Sequence, residues 1–417
     1  MLVKSVNNKC KNLHVYLIGI LYILNAFHHE IYNGYLMYYR ELFFFIFTLL
    51  IYFKLIVQRH GFINYKWNKD LLLLLLFPIS LLIFSFFDNG ISLYDDEITG
   101  ASISLNFVDA KLYIIRNSII YLPLVIYLSI IRLSSVDILV LIILIFLVSP
   151  LSIISFLSSG VMTKEGIGFA EIPSLGGQGI AYNSYVPYVS YSFLAGLYLI
   201  NVLRERIFIV IVAILTVLIF TFILISTSRQ SVIFCLICFL FFLRPKDIFK
   251  YIIFILICSS VLLYSFNKIE FSEVYFDKYG GLASLYGDQT DRTGIAMDGF
   301  SRLKEYEFIF GAGLSSVVNS GPHNDYIRWI QRIGIPMTVI SFLPILKMLF
   351  KALKNLLSKN SSLNIFIFLS IFFTIYNSFF GYPREDANQA LVCYLGIGIW
   401  FSTYSNNHKY FVTNQSC

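Results

Sequence analysis

Apolar residues run along this chain in blocks, and polar residues gather between the blocks instead of alternating with them. The stretch 71–87 is typical: leucine, isoleucine and phenylalanine broken only by Pro78, Ser80 and Ser85. This is neither the two-residue alternation of a half-buried strand nor the one-sided 3.6-residue period of an amphipathic helix. Uniformly apolar blocks of roughly 17–25 residues predict helices that cross ~30 Å of hydrocarbon with every backbone hydrogen bond made internally. Twelve such blocks recur, at 13–31, 36–57, 70–87, 112–131, 136–158, 181–203, 207–227, 230–243, 249–266, 329–350, 361–380 and 389–404, the eighth and twelfth being short. No fixed-period repeat and no low-complexity tail interrupts them. The expectation is an all-α integral membrane protein forming one polytopic domain over 1–417.

Composition agrees with that class: 58% of residues are hydrophobic, only 13% are charged, and the mean hydropathy is +0.75. A soluble domain carries about twice that share of charge. The first block is followed by further ones and lacks a small-residue cleavage site, so a cleavable signal peptide is not expected.

Lysine and arginine orient the blocks. With the N-terminus inside, the cytoplasmic segments hold Lys4, Lys9, Lys11, Lys54, Arg59, Lys66, Lys69, Arg132, Arg204, Arg206, Arg244, Lys246, Lys250, Lys347, Lys351, Lys354, Lys359 and Lys409, more than half of the 31 basic residues. Short external segments hold few, and the basic residues of a long translocated loop are exempt from the positive-inside rule. The net charge of +7 therefore reads as topology, with both termini cytoplasmic and no nucleic-acid partner. Cys235, Cys238, Cys258 and Cys393 fall inside blocks and Cys10 and Cys417 at the inner termini, so no structural disulfide is expected. Cys235 and Cys238 are spaced C-x-x-C but read as small hydrophobes in an apolar helix.

Three external segments exceed a tight turn: 88–111, 159–180, and above all 267–328, the long outer loop. Long ordered loops carry function more often than short ones. The first contains Asp95-Asp96-Glu97, which reads as solvated charge or as a divalent-cation ligand set. No nucleotide-binding G-x-x-x-x-G-K-[ST] and no H-E-x-x-H are present. His28 and His29 point about 100° apart on a helix and are poorly placed to share one ion. Any driving energy must then arrive bound to the substrate, and neither cofactor nor metal is expected.

The remaining candidates are arginines and one histidine. Arg229, in Ser226-Thr227-Ser228-Arg229-Gln230, lies at the outer turn before the eighth block, where a cation near hydrocarbon is a functional hypothesis by default. Arg292 and Arg302 lie in the long loop, and Arg116 lies near the outer end of the fourth block. Guanidinium groups fork onto phosphate oxygens, so two or three that converge make a pyrophosphate clamp. The alternative is that Arg229 snorkels to headgroups and the loop arginines are solvated. His323, in Pro322-His323-Asn324-Asp325-Tyr326, closes the loop and offers an imidazole, a group whose ordinary pKa near neutrality suits a general base.

In order, Ser228-Arg229, Arg292, Phe310-Gly311-Ala312-Gly313-Leu314, His323-Asn324-Asp325-Tyr326 and Ile333-Gly334-Ile335-Pro336 resemble the O-antigen polymerase and ligase superfamily of bacterial envelope glycosyltransferases. The resemblance covers about 181–345 and is best over 305–336. Asn183 matches a further asparagine of the pattern. The aromatic residue often found after the loop arginine is replaced here by Ile295, Ala296 and Met297, which leaves the choice between Arg292 and Arg302 open, with Arg292 preferred.

The resemblance implies a helical bundle of the GT-C-like, lipid-linked glycosyltransferase type in the bacterial inner membrane. The donor would be an oligosaccharide on undecaprenyl pyrophosphate, presented on the periplasmic face. Arg229 and Arg292 would stabilise the departing pyrophosphate, with Arg302, Asn324, Arg116 and Asn183 as further substrate contacts. His323 would accept the proton of the attacking hydroxyl, and the displacement would invert the anomeric centre without a metal. Polymerase activity, joining repeat units, is preferred to ligase activity, transfer to lipid A-core. Chain-length control would belong to a separate partner protein. A flippase or other carrier would also have about twelve helices, but it would place its ionisable groups near the midplane and not at one face.

Overall fold

The computed structural model describes residues 13–26, 39–57, 69–87, 94–96, 101–103, 119–131, 133–158, 172–173, 179–180, 182–225, 229–243, 300–301, 303–314, 324–379 and 387–404. These residues are almost wholly helical. In chain order the helices are α1 (Leu13–Ala26), α2 (Tyr39–Val57), α3 (Lys69–Phe87), α4 (Leu122–Ile130), α5 (Ser135–Ser158), α6 (Tyr182–Val202), α7 (Arg206–Ile225), α8 (Arg229–Phe242), α9 (Glu305–Phe310), α10 (Asp325–Ser358), α11 (Ser362–Ser378) and α12 (Ala387–Tyr404). Eleven of the twelve apolar blocks hold a helix; the ninth, 249–266, lies outside the described residues. Among the described residues, two helices, α7 and α10, are long and apolar enough to cross a membrane by length and composition, with 18-residue windows of mean hydropathy 2.9 and 1.9.

The all-α expectation needs two small amendments. The segments 88–111 and 159–180, expected to be external loops, each contain a two-stranded antiparallel ribbon: β1 (Tyr94–Asp96) with β2 (Ala101–Ile103), and β3 (Ile172–Pro173) with β4 (Gly179–Ile180). The expected loop 267–328 is likewise not all loop, because it contains α9 and, at its end, the first turn of α10.

Polar residues at block edges set where helices start. Ser134 and Asp137 cap α5 reciprocally: the Asp137 carboxylate accepts from the Ser134 N–H at 3.0 Å, and the Ser134 hydroxyl accepts from the Asp137 N–H at 3.1 Å. Ser361 accepts from the Asn364 N–H at 3.2 Å and starts α11 one short turn after α10 ends. Pro123 at the start of α4 costs that helix nothing, since the first turn has no hydrogen bond for its missing N–H to make.

The core is built around α6, which packs on α5, α7, α8, α11 and α12; α10 packs on α3, α9 and α11. Tyr188, Tyr191, Phe193, Phe234, Phe366, Trp329 and Phe401 are fully buried there. Several hydroxyls inside this core bond to one another, as a dry interior favours: Ser149 with Ser192 at 2.7 Å, Tyr191 with Ser370 at 3.0 Å. The outer surfaces are apolar too. Ile335, Val339, Leu343, Leu346 and Phe350 form an exposed stripe down α10, and Leu42, Phe45, Leu49 and Tyr52 one down α2.

The bundle has two distinct ends. At one, Asp70 at the start of α3 receives Lys347 at 2.7 Å and Lys351 at 2.5 Å from α10, and Lys351 lies 5.7 Å from the Trp400 ring of α12. Ser402 of α12 bonds the turn between α4 and α5 through the Leu133 N–H and the Ile131 carbonyl, while Tyr404 bonds Asn364. Lys347 and Lys351, two of the basic residues assigned to the inner side by sequence, lie here. The opposite end holds the starts of α8, α10 and α12 and the end of α11.

Candidate functional site

At that opposite end, two consecutive residues of α11 tie two helix starts together. The Tyr326 hydroxyl of α10 donates to the Ile375 carbonyl at 3.0 Å, and the Tyr376 hydroxyl donates to the Gln230 carbonyl of α8 at 2.8 Å. The segment carrying Arg229 and the segment following His323, almost a hundred residues apart in sequence, thus meet across a single turn of α11. Both are helix N-termini, whose unpaired N–H groups and dipoles favour anions. Asn377 of α11 extends the same polar rim to α12 by donating to Gln389 at 2.7 Å.

Three residues after His323 have structural work. Asn324 is the N-cap of α10, its side-chain oxygen accepting from the Ile327 N–H at 3.2 Å. Asp325, fully buried, accepts from the Trp329 indole N–H at 2.8 Å. Tyr326 anchors to α11 as above and packs its ring on Phe342 and Phe379, with centroids 4.3 and 4.7 Å away. The motif Asn324-Asp325-Tyr326 therefore fixes the start and orientation of α10 at the residue next to His323. The Asn324 oxygen expected for substrate serves the cap, which leaves its amide N–H groups as the donors.

The glycine motifs have a joint explanation. α10 is broken at Gly334, whose φ of 79° and ψ of 168° are non-helical. Two residues on, Pro336 has no N–H to give the Arg332 carbonyl. The turn after α9 supplies the missing donors: Ala312 N–H to the Gln331 carbonyl at 2.7 Å and Gly313 N–H to the Arg332 carbonyl at 3.2 Å. Such close backbone approach requires glycine at both Gly311 and Gly334, and Leu314, fully buried, pins the turn. Gly313 and Leu314 on one side and Asn324 on the other are thus both anchored to one half-helix.

Arg332 and Gln331 are buried at this break, 2% and 3% exposed, and Arg328 one turn earlier is half-buried. The Arg332 guanidinium lies 5.4 Å from the Trp329 ring centre, and Phe77 of α3 meets that ring edge-on at 4.8 Å. The hydropathy pattern starts the tenth block at 329, which places Gln331 and Arg332 inside an apolar helix and leaves Arg328 as the last residue of the outer loop. Their spacing after Asn324, four and eight positions on for Arg328 and Arg332, was the available signal.

His323, Arg292, Arg302 and Arg116 lie outside the described residues. Arg229 is the first residue of α8 and Asn183 the second of α6, each described in its backbone. Asp95 and Asp96 fall in β1 and Glu97 outside the described residues; no group of three or more His, Cys, Asp and Glu comes together among the described ones. Cys235 and Cys238 are fully buried in the core. A cleft lined by Leu74, Phe77, Ser341, Ile345, Thr374, Cys393, Tyr394 and Ile397 has no charged side chain, so the charged rim is the better candidate. No protein-family model matches the chain, and no curated protein matches it.

Proposed function

We propose that the protein is a polytopic inner-membrane glycosyltransferase that polymerises oligosaccharide repeat units carried on undecaprenyl pyrophosphate at the periplasmic face. The observation that carries this reading is the meeting of the Arg229 and Asn324–Tyr326 segments on Ile375–Tyr376. Two motifs distant in sequence share one rim, as parts of one site should. The docking of Gly311–Gly313 on Gln331–Gly334 supports it further, by uniting the other two matching segments.

The exposed apolar stripes of α2, α7 and α10 support a bilayer as the surrounding solvent, since contiguous patches of this kind are rare on water-soluble proteins. The gathering of Asp70, Lys347, Lys351 and the α4–α5 and α10–α11 turns at one end supports a cytoplasmic face there, with both termini inside and the rim outside.

In mechanism, the donor sugar is attacked at its anomeric carbon by a hydroxyl of the acceptor unit. The C–O bond to the pyrophosphate breaks and the lipid pyrophosphate leaves with its electron pair. Arginines at the leaving group, Arg229 and Arg292 foremost, stabilise the charge that develops there. His323 takes the hydroxyl proton as the new glycosidic bond forms, with inversion. Arg302, Arg116, Asn183 and the Asn324 amide N–H groups complete the substrate contacts.

Gene deletion tests the assignment. Loss of a polymerase leaves lipopolysaccharide with a single repeat and no ladder. Bare core with long lipid-linked chains would make the protein a ligase instead, and bare core with single lipid-linked repeats trapped on the cytoplasmic leaflet would make it a flippase.

A further inference from the structure

We propose that α9 is a membrane-interface helix: Tyr306, Ile309 and Phe310 form an apolar face that dips into the outer leaflet and holds the Gly311–Gly313 turn at headgroup level. The inference rests on the reading above for the presence of a bilayer, and it concerns a surface to which the motif resemblance gave no role.

The helix is built to lie at a boundary. None of the six residues of α9 is buried, although four of them are apolar or aromatic. Tyr306, Ile309 and Phe310 are each more than half exposed. Steps of about 100° put these three on one side of the helix, with Glu305 and Glu307 roughly 100° to either side of their centre. Phe308, on the far side, stacks on Phe300 with ring centroids 6.1 Å apart. An outward apolar face flanked by charge is the pattern of a helix lying in a membrane interface.

The edge of the bilayer falls at the same level. Ile335, Val339, Leu343, Leu346 and Phe350 form the exposed apolar stripe of α10, and Lys351 stands at its inner end, paired with Asp70. From Lys351 back to Gly334 is roughly 25 Å at ~1.5 Å per residue, against ~30 Å of hydrocarbon. The break in α10 therefore lies close to the outer edge of the apolar slab. α9 is fastened at that break, through the Ala312 and Gly313 N–H groups on the Gln331 and Arg332 carbonyls and through the close approach of the Ile309 carbonyl to Gly334. A tyrosine, with an apolar ring and a polar hydroxyl, suits that level. Lys304, whose ammonium lies 5.9 Å from the Tyr306 ring centre, adds a cation for lipid phosphates. Three side chains are too small a patch for a stable protein contact, which takes roughly 800 Å² per partner, whereas lipid sets no such minimum. Anchored in this way, α9 fixes the depth of the turn that completes the broken helix.

The full-length protein reconstituted in phosphatidylcholine vesicles tests this by fluorescence. Phe310→Trp adds one indole to the chain's three tryptophans, and its emission is read as the difference from wild type. That added emission should be largely lost when the acyl chains carry bromine close to the headgroup. It should be largely kept when the bromine lies near the chain ends, because an interfacial face enters only ~5–10 Å. Ile309→Trp should repeat the result, so that a defect peculiar to one variant does not decide the matter. Glu305→Trp, off the face, should keep its added emission with either lipid and lose it to aqueous acrylamide. Added emission from Phe310→Trp and Ile309→Trp that acrylamide quenches and bromine does not would put the face in water and overturn the inference, with the membrane reading intact. Shielding from both quenchers would put protein against the face and overturn it as well. Failure of the wild type to float with the vesicles would remove the membrane reading along with it.

Discussion

Gly311 and Gly334 each leave room for the backbone just before the other. A Cβ on Gly311 would lie 2.1 Å from the Arg332 carbonyl oxygen, and one on Gly334 would lie 2.1 Å from the Ile309 carbonyl oxygen. Both glycines also have φ near +78° with ψ beyond 160°, a region open essentially to glycine alone. Gly311→Ala and Gly334→Ala should each cost about 1–3 kcal/mol from backbone strain alone, with the clash adding to it. Because both changes break one contact, the double variant should lose less than the sum. Thermal unfolding of the detergent-solubilised protein measures this, and additive losses would mean that the two glycines act separately.

The helices were legible in sequence because their apolar blocks are long and uninterrupted, so that Leu71–Phe87 or Leu363–Ser378 could be little else. Where α10 begins was not legible from hydropathy. Its first turn is polar, and it is helical because Asn324 caps it and Asp325 and Tyr326 bond outward to Trp329 and α11. The short ribbons pair through backbone groups, for which composition gives almost no sign. Of the candidate site, the sequence offers a set of motifs in order. Its geometry was not legible, because the pairing of α8 with α10 runs through Ile375 and Tyr376, which no motif marks.

Asp70 ties the start of α3 to the far half of α10 and is 2% exposed, whereas its partners Lys347 and Lys351 are 46% exposed. Asp70→Asn should therefore destabilise the bundle by about 1–3 kcal/mol, below the full cost of breaking a wholly buried pair because water screens the lysines. Lys347→Met alone should cost less, since Lys351 still answers the carboxylate. Unfolding temperatures of the three proteins check the order. An Asp70→Asn variant as stable as wild type would reduce this cluster to surface charge.

Topology follows from the two ends of the bundle. Reporter fusions after Asn68, Asn201 and Asn360 should report the cytoplasm, and fusions after Asp96, Gly287 and Asn388 the periplasm. Asn360 lies in the short turn between α10 and α11, at the end that holds the Asp70 cluster. A periplasmic signal there, or a cytoplasmic one at Gly287, would put the rim on the wrong side of the membrane for a periplasmic donor.

The chemistry itself makes the last prediction. If arginines occupy the place that a divalent cation takes in other pyrophosphate-releasing enzymes, purified protein supplied with lipid-linked repeat units should elongate them unchanged in excess EDTA. Arg229→Ala, Arg292→Ala and His323→Ala should abolish elongation at normal protein levels. Arg229→Lys should recover little, because an ammonium is a point charge without the planar fork. Lys304→Ala should be nearly silent: Lys304 is exposed, and its contact with the Glu307 carboxylate is made by its backbone N–H, which alanine retains. Activity lost in EDTA and restored by magnesium or manganese would bring Asp95, Asp96 and Glu97 forward as ligands. Full activity in His323→Ala would remove that histidine from catalysis and leave the proton to another base.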